Sequence, residues 1–262
     1  MDGELLSPYE VASLRIFSAG LVLTPFAFKA WRSIPKEKLW IVILSGFLGS
    51  FFPAYLFCIA ETRIDSALAG ILNALTPIFT IIIGVSFFKL SASGKKWLGI
   101  IVGFVGLGLL PFASNQAISF KDFSYALFVL LATIFYGINV NLVGRHMKAI
   151  NSIHIAAMAF VFLMIPSIII LFYCGYFEHP LNTTPYIKAT AASATLGVAG
   201  TAIASILFYM LLKRAGALFG SMVTYGIPFV AILWGVIFGE SVALLQIGCL
   251  AIILGGVYIA NK

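Results

Sequence analysis

The chain has 262 residues, 61% hydrophobic and only 10% charged, with a mean hydropathy of +1.08 and a formal net charge of +7. A soluble domain of this size keeps most of its residues near water and cannot hide so much apolar surface, which excludes a soluble globular protein. The positive charge would suit a nucleic-acid partner, but its placement along the chain rejects that reading.

Nine apolar runs follow one another at residues 11–30, 39–59, 67–88, 97–113, 123–143, 153–174, 189–212, 221–238 and 242–260. Each has the ~17–24 residues that a helix needs to cross ~30 Å of hydrocarbon. The runs are continuously apolar rather than alternating, so they predict helices and not a barrel. The longest connection, residues 175–188, is only a loop. The predicted class is an all-α polytopic membrane protein.

The connections alternate in charge. One set carries Lys29, Arg32, Lys36, Lys38, Lys89, Lys95, Lys96, Arg145, Lys148, Lys213, Arg214 and Lys262, against Arg15, Arg63, Lys121 and Lys188 in the other. Acids do the reverse, with Glu37 alone on the basic side. Basic short loops stay in the cytoplasm. That places the C-terminus inside the cell and residue 1 outside. The net charge is thereby explained as topology, with the lipid bilayer as partner and no nucleic acid.

The chain also repeats itself. Residues 46–92 align with 197–243 at a constant offset of 151, matching Gly46 with Gly197, Gly49 with Gly200, Arg63 with Arg214, Pro77 with Pro228 and Gly84 with Gly235. Loop charges give the two copies opposite orientations, and an inverted pair in a bilayer usually marks a carrier with its site between the halves. The first repeat (1–113) holds four predicted helices and the second (123–260) five, joined by 114–122. Subtracting the offset from the run at 123–143 gives positions before residue 1. A further helix of ~20 residues is therefore expected upstream, through fragmentation or a misassigned start, unless a nine-helix form is real.

Three stretches carry a family likeness: LSPYEVASLRIFSAGLVLTP at 6–25, ALAGILNALTPIFTIIIG at 67–84 and GESVALLQIGCLAIILGGV at 239–257. In order and spacing they resemble the EamA-type carriers of the drug/metabolite transporter superfamily, over about residues 6–260. The resemblance implies ten helices in a five-plus-five inverted repeat, both termini cytoplasmic, and a central cavity open to one side at a time. It also implies outward movement of small organic metabolites such as amino acids across a bacterial inner membrane. Two departures stand out. The family's first helix, which helps line the cavity, has no counterpart, and Lys89 stands where the second repeat has Glu240.

Polar side chains at membrane depth are costly unless they find partners or line a wet cavity. Gly70, Asn73, Pro77 and Ile81 step by three or four and share a helix face, as do Ser221, Thr224, Tyr225, Pro228 and Ile232 in the second copy. Each proline frees the carbonyl four residues back, at Asn73 and Thr224. Two symmetric open carbonyls beside polar side chains form a candidate substrate or ion ligand set. The competing reading is a pair of kinks repaired by neighbouring Ser and Thr. Tyr136 and Asn139, with Thr133, occupy one sector of the run at 123–143, where they either line the cavity or join helices. The candidate solute-binding residues are Asn73, Pro77, Tyr136, Asn139, Thr224, Tyr225 and Pro228. Thr201, Ser205 and Tyr209 are weaker candidates.

Arg15, Glu61, Arg63 and Asp65 lie at outer ends, where a gate competes with a solvated loop. His154 is a proton shuttle or an interfacial histidine. No acid lies mid-membrane, which disfavours a carboxylate relay. Gly99 and Gly103 form a GxxxG pair, followed by Gly106 and Gly108, and predict close helix packing. Cys58, Cys174 and Cys249 are isolated, and no cofactor or metal site is expected. An intramembrane enzyme would need a serine elbow, paired aspartates or a His/Glu cluster, and none is visible. A non-transporting assembly partner is the remaining alternative. The expected partners are a small-molecule solute and the bilayer, with a homodimer as the assembly to consider.

Overall fold

The computed structural model describes residues 5–91, 93–113, 120–221, 224, 226–239 and 242–261. They form helices throughout, with no strand among the described residues. Among the described residues six helical spans are long and apolar enough to cross a membrane: Pro8–Ser33, Lys36–Ala60, Ser66–Phe88, Ser124–His146, Ser152–Tyr173 and Thr184–Arg214. The remaining helices are α6 (Gly94–Ala113), α11 (Gly226–Ile237) and α12 (Leu244–Asn261). Among the described residues each of the nine apolar runs is helical, several of them in two pieces. The protein is a multi-pass membrane protein.

Local chemistry sets the interruptions. The first span is a single helix, α1 (Pro8–Ser33), opened by a capping box in which Ser7 and Glu10 serve each other's backbone N–H groups. The second span comprises α2 (Lys36–Gly46), a π-helical turn at Phe47–Phe51 and α3 (Phe52–Ala60). Its repeat mate has the same form, with α9 (Thr184–Thr195), π-helical turns at Leu196–Ile203 and α10 (Ala204–Ser221). Shifting 47–51 by the offset gives 198–202, so the two wide turns coincide in the repeat. Gly46 and Gly197 sit where they begin.

The span at Ser66–Phe88 is not one straight helix. It breaks into α4 (Ser66–Asn73) and α5 (Thr76–Phe88) because Pro77 cannot donate to Asn73. Ala74 and Leu75 bond instead to the carbonyls three residues back, at 3.1 Å each. The second copy differs from the expected helix over 221–238. Helix α10 is kinked at Gly216, Thr224 has 3₁₀ geometry, and α11 runs from Gly226.

The chain forms two compact units, Met1–Cys58 with Leu142–Arg214, and Ile59–Asn141 with Ala215–Lys262. Both draw helices from both sequence repeats. In the first unit, α1 packs along α8 (Ser152–Tyr173), its counterpart in repeat order, and α8 also meets α2. In the second, α6 packs along its mate α12, and α4 along α11. Helix α7 (Phe120–His146) supplies residues to both units.

Small residues make these approaches close. A Cβ on Gly99 would collide with the Gly256 carbonyl, and one on Gly256 with the Gly103 backbone, so the predicted GxxxG pair is the α6–α12 seam. Gly106 adds to this seam against Ile253, whereas Gly108 has open space. At the end of α5, Lys89 adopts the left-handed conformation (φ 57°), and Leu90 N–H closes onto Gly84 O at 3.0 Å. Gly239 takes the same role after α11 (φ 89°).

Candidate functional site

The described members of the candidate set all belong to the second unit. Asn73 ends α4 and is 3% exposed. The carbonyl freed by Pro77 is not left open. Thr76 Oγ1 donates to Asn73 O at 2.8 Å and lies 3.2 Å from Asn73 Oδ1. Thr80 Oγ1 in turn donates to Thr76 O at 2.8 Å. The Thr76 hydroxyl thus takes up the carbonyl that the proline frees.

Pro228 is buried in α11. Gly70 of α4 approaches it, and a Cβ there would strike Ala231 and touch the Pro228 backbone 3.4 Å away. Helices α4 and α11 therefore meet beside one member of the symmetric proline pair, with Asn73 a turn further along α4. Thr224 is buried just ahead of α11. Tyr225 lies outside the described residues.

On α7, Asn139 is buried and Tyr136 half-buried. Thr133 is fully buried and returns its hydroxyl to Leu130 O at 2.6 Å. The face of α7 that meets α5 is a different one. Gly137 lets the backbones approach, since a Cβ there would stand 3.0 Å from Thr80 N. One turn on, Asn141 Nδ2 donates to Thr80 O and to Gly137 O, both at 2.8 Å. Asn139 is two residues from each of Gly137 and Asn141, about 200° around the helix. It is buried on a side away from α5.

In sequence Asn141 is turned away from the sector of Thr133, Tyr136 and Asn139, and pattern alone gives it no partner. Its signal was the spacing Gly137–Asn141, a small residue one turn before an amide on one helix face. Thr80 was equally readable, four residues after Thr76.

The first unit holds a second polar cluster that pattern alone did not assemble. Glu10 is 2% exposed, and its Oε1 lies 2.9 Å from His179 Nε2. Its Oε2 accepts Ser7 N–H at 2.6 Å. His179 stacks on Tyr186 with centroids 5.0 Å apart, and Tyr176 shares a hydrogen bond with Thr190 at 2.8 Å. Ser13 pairs with Tyr55 at 2.7 Å and Ser45 with Tyr209 at 3.4 Å. Arg15 Nε is buried without a hydrogen-bond partner. Thr201, from the weaker set, reaches Leu196 O at 3.3 Å across the π-helical turn, and Ser205 is half-buried. No cluster of three metal-ligating side chains occurs among the described residues.

Comparison with known proteins agrees with this all-helical architecture. A Bacillus subtilis protein named as an uncharacterized transporter, YdfC, is 26% identical over 260 residues, covering 96% of this chain and 81% of that protein. An uncharacterized transporter of Archaeoglobus fulgidus is 24% identical, covering 98% of this chain and 90% of its own length. The S-adenosylmethionine uptake transporter of Rickettsia felis is 31% identical over a shorter stretch, 40% of this chain and 36% of that protein. A protein solved by crystallography shares the fold with a TM-score of 0.66 at 17% identity, covering 98% of this chain and 89% of the other. The EamA-like transporter family matches residues 3–111 and 123–262, nearly the whole sequence, and this chain belongs to it.

Proposed function

We propose that the protein carries a small organic solute across a bacterial inner membrane by alternating access between two inverted repeats, with its C-terminus in the cytoplasm. Asn73, Pro77, Tyr136, Asn139, Thr224, Tyr225 and Pro228 are the residues assigned to the solute. The observation that supports this most is the burial of Asn73, Asn139 and Thr224 inside apolar helices of a transporter-family chain. Amides and hydroxyls at that depth are retained where a polar cargo needs them. The repaired carbonyl at Asn73 moves the emphasis from main-chain oxygens to the side chains themselves.

Outward movement of amino acids or related metabolites is the first reading. The name of the Rickettsia relative supports a second, uptake of an S-adenosylmethionine-like solute. The discriminating experiment follows solutes on both sides of cells expressing the parent chain or the Asn73→Ala, Tyr225→Ala double variant. A metabolite that builds up outside only with the parent supports export, and labelled S-adenosylmethionine entering only with the parent supports uptake. Equal transport by parent and double variant, both inserted, removes these two residues from the site.

A further inference from the structure

A groove of about 790 Å³ runs between the C-terminal end of α1 and the first half of α8, wholly within the first unit. Its floor is apolar, with Pro25, Phe28, Met158, Val161 and Phe162. Its end is basic, with Lys29 and Arg32 beside Trp31. Neither Lys29 nor Arg32 is in a salt bridge among the described residues, although Glu37 lies nearby in sequence. Phe28 and Trp31 are 76% and 56% exposed.

This arrangement has a polarity. From Thr24 to Ser33 the helix rises about 14 Å, close to the depth of one leaflet's hydrocarbon, half of ~30 Å. Across that distance the lining passes from apolar side chains to tryptophan and then to cations, the order in which a bilayer passes from acyl chain to headgroup. A polar solute would leave the apolar floor unused, and a hydrocarbon would leave two cations without counter-charge. One class of molecule satisfies both ends: an anionic phospholipid. Basic pockets between membrane helices hold such headgroups.

We propose that the α1–α8 groove binds one anionic phospholipid, its phosphate between Lys29 and Arg32 and an acyl chain along Phe28, Met158 and Phe162. The site is separate from the residues assigned to the solute, all of which fall outside this unit. The bound lipid covers the exposed Phe28 and steadies the contact between α1 and α8.

Native mass spectrometry of the purified full chain, titrated with phosphatidylglycerol or phosphatidylcholine of matched acyl chains, tests the site. The parent should hold one phosphatidylglycerol at least about tenfold more tightly than phosphatidylcholine, as expected for two phosphate-facing cations. Lys29→Gln with Arg32→Gln should erase that preference, whereas Lys29→Arg with Arg32→Lys should keep it. Val161→Trp, which fills the floor and leaves both charges, should also lose the lipid. Equal retention of both lipids by the parent, or an undiminished preference in the Gln variant, overturns the proposal. So does displacement by glycerol phosphate alone, which would mark a free-anion site. A lipid-free dimer mass would assign the groove to a second copy and overturn it as well.

Discussion

Hydroxyls return to main-chain carbonyls in both compact units, but the side-chain pairs of the first and the proline mend of the second do different work. In Met1–Cys58 with Leu142–Arg214, polar side chains meet one another across elements distant in sequence: Glu10 with His179, Ser13 with Tyr55, Ser45 with Tyr209. In the other unit, Thr76, Thr80 and Asn141 turn onto main-chain carbonyls. Both solutions answer the same constraint, that no water is available in hydrocarbon to satisfy a polar group. The first ties elements together through a side chain at each end. The second mends a backbone that proline interrupts and lets helices approach through glycine. A joint of the first kind depends on two identities, whereas a mend depends on one hydroxyl or amide and on the small residue that admits it.

That contrast ranks the expected effects of substitution. Gly99→Leu should be the most damaging, because the α6–α12 seam leaves no room for a side chain. We expect a cost of about 3 kcal/mol and loss of the monodisperse peak in size-exclusion chromatography. Gly108→Leu, which faces open space, is the control and should behave as the parent. Equal behaviour of the two variants would mean that the seam is not packed on its glycines.

Glu10→Ala comes next, since it removes both the His179 contact and half of the capping box. The expected loss is about 2 kcal/mol, read as a lower melting temperature in detergent. His179→Ala alone should cost less, because the cap remains. If the two variants melt together, the Glu10–His179 contact and not the cap dominates.

Asn141→Leu should cost about 1 kcal/mol, in the range of interhelical hydrogen bonds in membranes. A double-mutant comparison with Gly137→Ala should be non-additive, because both changes act at the α5–α7 contact. Additive effects would separate the amide from the packing.

The smallest effect should be a gain. Lys89→Gly relieves a left-handed conformation that costs a side chain more than a glycine. The expected stabilisation is about 0.5 kcal/mol, seen as a slightly higher melting temperature with unchanged insertion. A lower melting temperature would show that the lysine side chain matters more than its backbone angle.

Much of the architecture was readable before any coordinates. The apolar runs became helices because a bilayer demands ~20-residue segments that satisfy their own backbone. The glycine pair at 99 and 103 announced a helix seam, and three of the four glycines in that stretch do pack. The break at Pro77 was legible too, since proline removes a defined hydrogen bond. Whether Asn73 O stayed open depended on the rotamer of Thr76, which pattern does not set. Within the run at 221–238 Thr224 has 3₁₀ geometry, a change of pitch to which hydropathy is blind.

The chain alone therefore determined its solvent, its helical class, its repeat and the positions of its small-residue contacts, because each follows from composition or a short period. Tertiary structure decided who meets whom. It packed α6 on its repeat mate α12, mixed helices of both repeats in each unit and carried His179 back to Glu10 across 169 residues. It also set Asn141 on the carbonyl of Thr80. Such choices rest on the angle at which two helices cross and on single rotamers, and neither leaves a periodic trace in the sequence.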